Sequence, residues 1–135
     1  MNSSDYPRVP SRLLLNLTNH HVLVYPADFS PFIMYPRSNV IARLISKKQE
    51  HIEDLEDGCP VYTPQEFCDL VPSRPVLGEA RGVIVSLMVA EYLKRNNMTD
   101  WAGGEVYCAD LSDEGCFKDE TSGQILGTKR LTRIF

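Results

Sequence analysis

The chain has 135 residues, enough to bury a core without disulfide or metal staples, and its 43% hydrophobic and 24% charged residues are ordinary for a folded domain and exclude extensive disorder. With 14 basic side chains against 18 acidic ones the net charge is −4, which disfavours a long nucleic-acid backbone as partner but leaves room for a small anion in one local pocket. No apolar run approaches the roughly 18 residues that a membrane span needs, and the opening MNSSDYPRVPSR lacks the apolar core of a signal peptide. A cytosolic chain that touches no membrane is therefore expected, with Cys59, Cys68, Cys108 and Cys116 as reduced thiols. None of the four has the short C-x-x-C spacing of a zinc site.

Residues 1–12, with two prolines and three serines, read as an arm ahead of one compact domain over 13–135. Leu13 to Leu17 and Val22 to Tyr25 suit two strands joined by a tight connection, the polar knot Asn16 to His21. Pro26 to Asp28 and Ser30-Pro31 supply turn chemistry before a strand over Phe32 to Tyr35. Asn39 to Ser46 reads as a largely buried strand interrupted by Arg43, Lys47 to Gly58 as a solvated loop or hairpin end, and Cys59 to Thr63 as another strand. A helical turn is expected from Pro64 and a loop over 72–82. Val83 to Val85, Ser86 and Leu87 to Asn96 read as strand, N-cap and helix. Leu87, Ala90 and Leu93, with Met88 and Tyr92, would form its apolar face. Lys94 and Arg95 suit its C-terminal end, where Asn96 or Asn97 can take the left-handed cap. Strands follow over Val106 to Ala109, Gln124 to Leu126 and Arg130 to Ile134. Strands around one principal helix predict an α+β fold with a mostly antiparallel sheet.

The candidate chemistry gathers around anions. A helix N-terminus at Ser86 offers free N–H groups and the positive end of the helix dipole. Arg43, Arg81, Lys129 and Arg130 could bring positive charge to it, and a guanidinium donates two parallel hydrogen bonds to a phosphate. Each feature also has a plain structural reading, since serines cap helices with no ligand present and surface arginines are common. The knot divides in the same way: Asn16, Thr18 and His20 either tie their own loop together or face a ligand. A catalytic His20 would need a partner such as Asp100 or Asp110 to orient it. Ser86 lacks the flanking glycines of a nucleophile elbow, and neither His20 and His21 with Asp28 nor His51 with Glu53 and Asp54 has the spacing of a closed metal site. Tyr92, Trp101 and Tyr107 could stack on a base or simply fill the core. No metal or cofactor is expected.

Five blocks taken in order carry a resemblance: Asn16-Leu-Thr-Asn-His20, Ser38-Asn-Val-Ile-Ala-Arg43, Gly58-Cys-Pro-Val61, Val83-Ile-Val-Ser86 and Gly123-Gln-Ile-Leu-Gly127. Over most of residues 13–131 the chain resembles a family of small phage and bacterial proteins that begin with an asparagine-leucine-threonine-proline-histidine signature. It differs in having Asn19 where the signature has proline and in a longer, more proline-rich stretch over 64–80. That family is similar to the phage anti-Thoeris sponge proteins, which trap cyclic ADP-ribose signals made by TIR-domain defence enzymes. The resemblance implies a compact protomer that assembles into dimers or higher oligomers and binds its ligand without turnover. It also implies phosphate contacts from Arg43 and Arg130, with the helix from Ser86 to Asn97, Tyr92 included, beside the nucleotide. Two other classes stay open: an enzyme that processes such a nucleotide with His20 as general base, and a structural module that binds protein.

Overall fold

A computed structural model describes residues 13–26 and 32–135; the arm expected over 1–12 and most of the turn expected over 26–31 lie outside the described residues. In chain order the elements are β1 (Leu14–Asn16), β2 (Val22–Val24), β3 (Ile33–Tyr35), β4 (Arg43–Ser46), β5 (His51–Asp54), β6 (Pro60–Tyr62), β7 (Phe67–Val71), β8 (Gly82–Ile84), α1 (Leu87–Arg95), β9 (Glu105–Ala109), β10 (Cys116–Lys118), β11 (Ile125–Thr128) and β12 (Leu131–Arg133). Strands with one helix agree with the α+β expectation. A single, mostly antiparallel sheet is not what forms: there are two four-stranded sheets and two ribbons, and three of the eight strand pairings are parallel.

The central sheet runs β1-β8-β9-β12, its first three strands parallel and β12 antiparallel. Parallel neighbours cannot be joined by a tight turn, and α1 supplies the crossover from β8 to β9. Such a strand is covered on both faces, which explains why Val83-Ile-Val85 is wholly apolar and does not alternate. Val83 and Val85 pack with Leu17, Val89, Ala90, Leu93 and Val106 in the core that contains α1. Ile84 points the other way, into a second cluster with Val22, Val24 and Tyr35. Gly82 lies between β1 and β9, where a Cβ would collide with the carbonyl of Glu105.

The second sheet runs β10-β11-β2-β3. β1 and β2, expected to be joined as neighbours, therefore belong to different sheets, and the knot between them is where the chain changes layers. Tyr25 stacks on Phe32 and Phe117 at centroid distances of 5.1 and 4.4 Å beside β2 and β10. β10 itself has no counterpart in the sequence expectations.

Ser86 caps α1, its hydroxyl oxygen accepting from the Val89 N–H at 3.3 Å, and Asn97 takes a left-handed φ of 53° after the last turn. The buried stripe is narrower than expected: Val89, Ala90 and Leu93 face the sheet, whereas Leu87 and Met88 are more than half exposed. Residues 43–71 form a long ribbon, β4 paired with β7 and β5 with β6; its base packs on the core through Leu44 and Leu70, and its β5/β6 end is exposed. The buried strand expected over Asn39 to Ser46 is thus corrected to a short strand from Arg43 in which Ile45 stays 43% exposed. The helical turn expected from Pro64 gives way to β7, because pairing with β4 satisfies that backbone better than a single isolated turn. Among the described residues no helix is long and apolar enough to cross a membrane.

Candidate functional site

The carboxyl ends of neighbouring parallel strands are where open α/β sheets hold ligands. Here the carboxyl end of β1 leads into Leu17 and Thr18, and that of β8 leads through Val85 into Ser86. The segment after β3 then folds beside them: the Ser38 N–H donates to the Asn16 carbonyl at 3.0 Å and the Ala42 N–H to the Leu17 carbonyl at 2.9 Å. That pairing delivers Arg43 to the same corner. The result is a hollow of about 260 Å³ between α1 and the β4/β7 ribbon, lined by Thr18, Asn19, Arg43 and Ser86 on its polar side and by Leu44, Phe67, Met88 and Val89 on its apolar side.

Electrostatics set this corner apart. Among the described residues Arg43 has no carboxylate within ion-pairing distance. The first turn of α1 lacks acidic side chains, so its dipole is not already neutralised by the protein. A second hollow of about 170 Å³ continues along the helix past Glu91, Tyr92, Arg95 and Asn96, and it shares Phe67 and Met88 with the first. Taken as a pair, the two hollows line α1 from Ser86 to Asn96, about 15 Å at the helical rise, and are the candidate groove.

Of the residues singled out from sequence, Thr18, Arg43 and Ser86 meet in the first hollow, and Tyr92 lines the second. Asn16 lies beneath it and is not exposed to a ligand, being 1% accessible with both ends of its amide engaged. Its Nδ2 donates to the carbonyls of His20 and Tyr35 at 2.9 and 2.8 Å, and its Oδ1 accepts from the Thr18 N–H at 2.9 Å. The Thr18 hydroxyl sits 2.7 Å from that Oδ1 and 2.8 Å from the His20 carbonyl, with one proton to share between them. The knot is thus an Asx-type turn folded on a buried asparagine.

His20 faces elsewhere. With His21 it lines a separate hollow of about 280 Å³ walled by Leu23, Leu111, Ile125 and Leu126, and its Nδ1 lies 2.9 Å from the His21 carbonyl. Neither Asp100 nor Asp110 reaches its ring; Asp110 is held by Ser112 and Arg130.

The remaining cations are already paired or apart. Arg81 precedes β8, at the opposite end of that strand from Ser86, and makes a two-point ion pair with Glu105, which also meets Arg133 at 3.1 Å. That pairing holds Arg81 above its ordinary range and Glu105 below the usual carboxylate range. Arg130 bonds Asp110 at 2.7 Å and Glu114 at 3.4 Å. Hydrogen bonds from Ser112 and then from Arg130 bring Asp110 down to about 2. Lys129 is exposed, and its backbone N–H serves the Gly115 carbonyl. The convergence of all these cations on Ser86 therefore reduces to Arg43.

Phe67, Met88, Glu91 and Arg95 belong to the groove but were not among the residues singled out for a site. Glu91 and Arg95 are spaced i, i+4 on an exposed helix face, which in sequence looks like any solvated charge pair. Among the described residues no group of three or more His, Cys, Asp or Glu side chains could hold a metal, and the four cysteines are free thiols. Comparison of the chain with known families, curated proteins and solved structures finds no match in any of the three.

Proposed function

We propose that the chain is a sponge: it binds a cyclic ADP-ribose-type or cyclic nucleotide signal in the groove beside α1 and holds it without cleaving it. The observation that carries this reading is that Arg43, without an ion-pair partner among the described residues, lines one hollow with the first turn of α1 at the carboxyl ends of two parallel strands. A phosphate there meets a guanidinium, the N–H groups that a first helical turn leaves open, and the Thr18-Asn19 loop. Phe67, Met88 and Tyr92 offer a wall for the rest of the molecule. Binding without turnover is favoured over processing because His20 lines a different hollow and the Ser86 oxygen already accepts from the helix.

The resemblance to the anti-Thoeris sponges supplies the biological setting. In that setting the protein acts in the cytosol of the cell where the signal is made, removes it from its effector and so protects a phage, working as a dimer or larger oligomer. A protein-binding module is the second reading, favoured by Ile52, Leu55 and Tyr62, which stand 46–58% exposed on the β5/β6 ribbon.

A thermal-shift panel of cyclic dinucleotides, cyclic trinucleotides and ADP-ribose derivatives tests the proposal. At least one member should raise the melting temperature, since a ligand at 100 times its Kd adds about 2.7 kcal/mol. Arg43→Ala should shrink the shift, and heating the complex should return the ligand intact. Recovery of a product would establish an enzyme instead, and a panel with no shift would leave the protein-binding reading.

A further inference from the structure

We infer that the ligand of this groove carries a guanine base, read by Glu91 and Arg95 in the hollow that Phe67 and Tyr92 line. The inference rests on the nucleotide reading above and names the base. Phe67 comes from β7 and Tyr92 from α1, so two half-buried aromatic rings line the far hollow from different elements, with Met88 between the two halves of the groove. A flat heterocycle suits such walls.

The edge of that heterocycle is what the charged pair selects. Glu91 and Arg95 are one turn apart and line the same hollow, in the order that favours an intrahelical ion pair, yet none forms between them. Neither side chain has another hydrogen-bonding partner among the described residues. Both are open to a guest. An ionised carboxylate only accepts hydrogen bonds, and a guanidinium only donates them. Guanine presents two adjacent donors, N1–H and the N2 amino group, and next to them two adjacent acceptors, O6 and N7. Glu91 matches the first pair and Arg95 the second. Adenine fails at both points, because its N1 is an acceptor facing the carboxylate and its N6 amino group is a donor facing the guanidinium. Cytosine and uracil each offer the carboxylate at most one donor flanked by an acceptor. Among the ligands proposed above, this favours a guanine-bearing cyclic nucleotide over an ADP-ribose.

Matched pairs test the base with the phosphates held constant: cyclic di-GMP against cyclic di-AMP, and 3′,5′-cyclic GMP against 3′,5′-cyclic AMP, titrated calorimetrically into the full chain. The guanine member should bind about tenfold tighter or better, the discrimination expected of one good bidentate contact. Glu91→Gln, on an exposed face where folding is indifferent to it, should bring the two members of each pair close together, because an amide can donate as well as accept. Arg43→Ala should weaken both members equally and leave their ratio unchanged. Equal or adenine-favouring affinities that still depend on Arg43 would overturn the guanine assignment and leave the binder standing. So would a guanine preference that survives Glu91→Gln. Failure of all four compounds to bind, while another member of the thermal-shift panel does, would overturn the base assignment alone.

Discussion

Asn16 is the side chain on which the groove's floor depends. Its amide links the end of β1, the turn carrying Thr18 and His20, and the carbonyl of Tyr35 on β3. Removing a buried amide leaves its partners unsatisfied, each at about 1–3 kcal/mol, so Asn16→Ala should lower stability by roughly 3 kcal/mol. Urea unfolding with an unchanged m-value measures it; a loss below about 0.5 kcal/mol would mean that the loop is held by other contacts. Asp110 gives a second residue-scale expectation. Its folded pKa, about 2, lies below the ordinary 3.8, so the ionised form is the one that the fold favours. The stabilisation is complete above the unfolded value and is lost as pH falls from about 4 towards 2. Melting temperatures followed through that window should drop, and Asp110→Asn should flatten part of the drop.

Among the elements, those with local causes were legible in the sequence and those with distant causes were not. Strand, cap and helix over 83–96 follow from neighbouring residues, down to the Ser86 cap and the left-handed Asn97. The parallel pairing of β1 with β8 joins Asn16 to Ile84, and no local periodicity announces a contact across that separation. For the same reason Leu13 to Leu17 and Val22 to Tyr25 read as neighbours although they enter different sheets. The apolar residues of 39–46 suggested burial, but only Ala42 is buried and Leu44 partly so, while Val40, Ile41 and Ile45 stay at 40% exposure or more. Half of the site was legible through Thr18, Arg43, Ser86 and Tyr92, residues whose chemistry stands out. Phe67, Glu91 and Arg95 acquire a role only from what faces them. The ribbon's end is an element with little to lose: every residue of β5 and all of β6 except Val61 are exposed. Replacing residues 49–63 by a two-residue turn should cost less than about 1 kcal/mol, because few apolar contacts are given up. A loss of several kcal/mol in urea unfolding would show that the ribbon's end supports the body.

At the scale of the whole molecule, the central sheet has α1 against one face and the second sheet against the other. The ribbon over 43–71 holds three basic and seven acidic residues, and its net −4 equals that of the full chain, so the rest of the protein is electrically balanced. An anion entering beside α1 therefore meets Arg43 and the helix dipole against a body with no net charge, the nearby negative charge being that of the ribbon and of Glu91. The acidic tip of the ribbon acts from a distance, and at 0.1 M salt such fields are screened beyond about 10 Å. Its removal should accordingly leave ligand affinity unchanged or slightly improved. The guest is expected to sit beside the first turn of α1. An amide chemical-shift map of the full chain with saturating cyclic nucleotide measures that most directly. Shifts should concentrate at Thr18-Asn19, Arg43-Leu44, Phe67 and Ser86 to Asn96, while Arg81-Glu105 and Asp110-Arg130 stay still. Shifts centred on either of those ion pairs or on the His20 hollow, with α1 unperturbed, would contradict it.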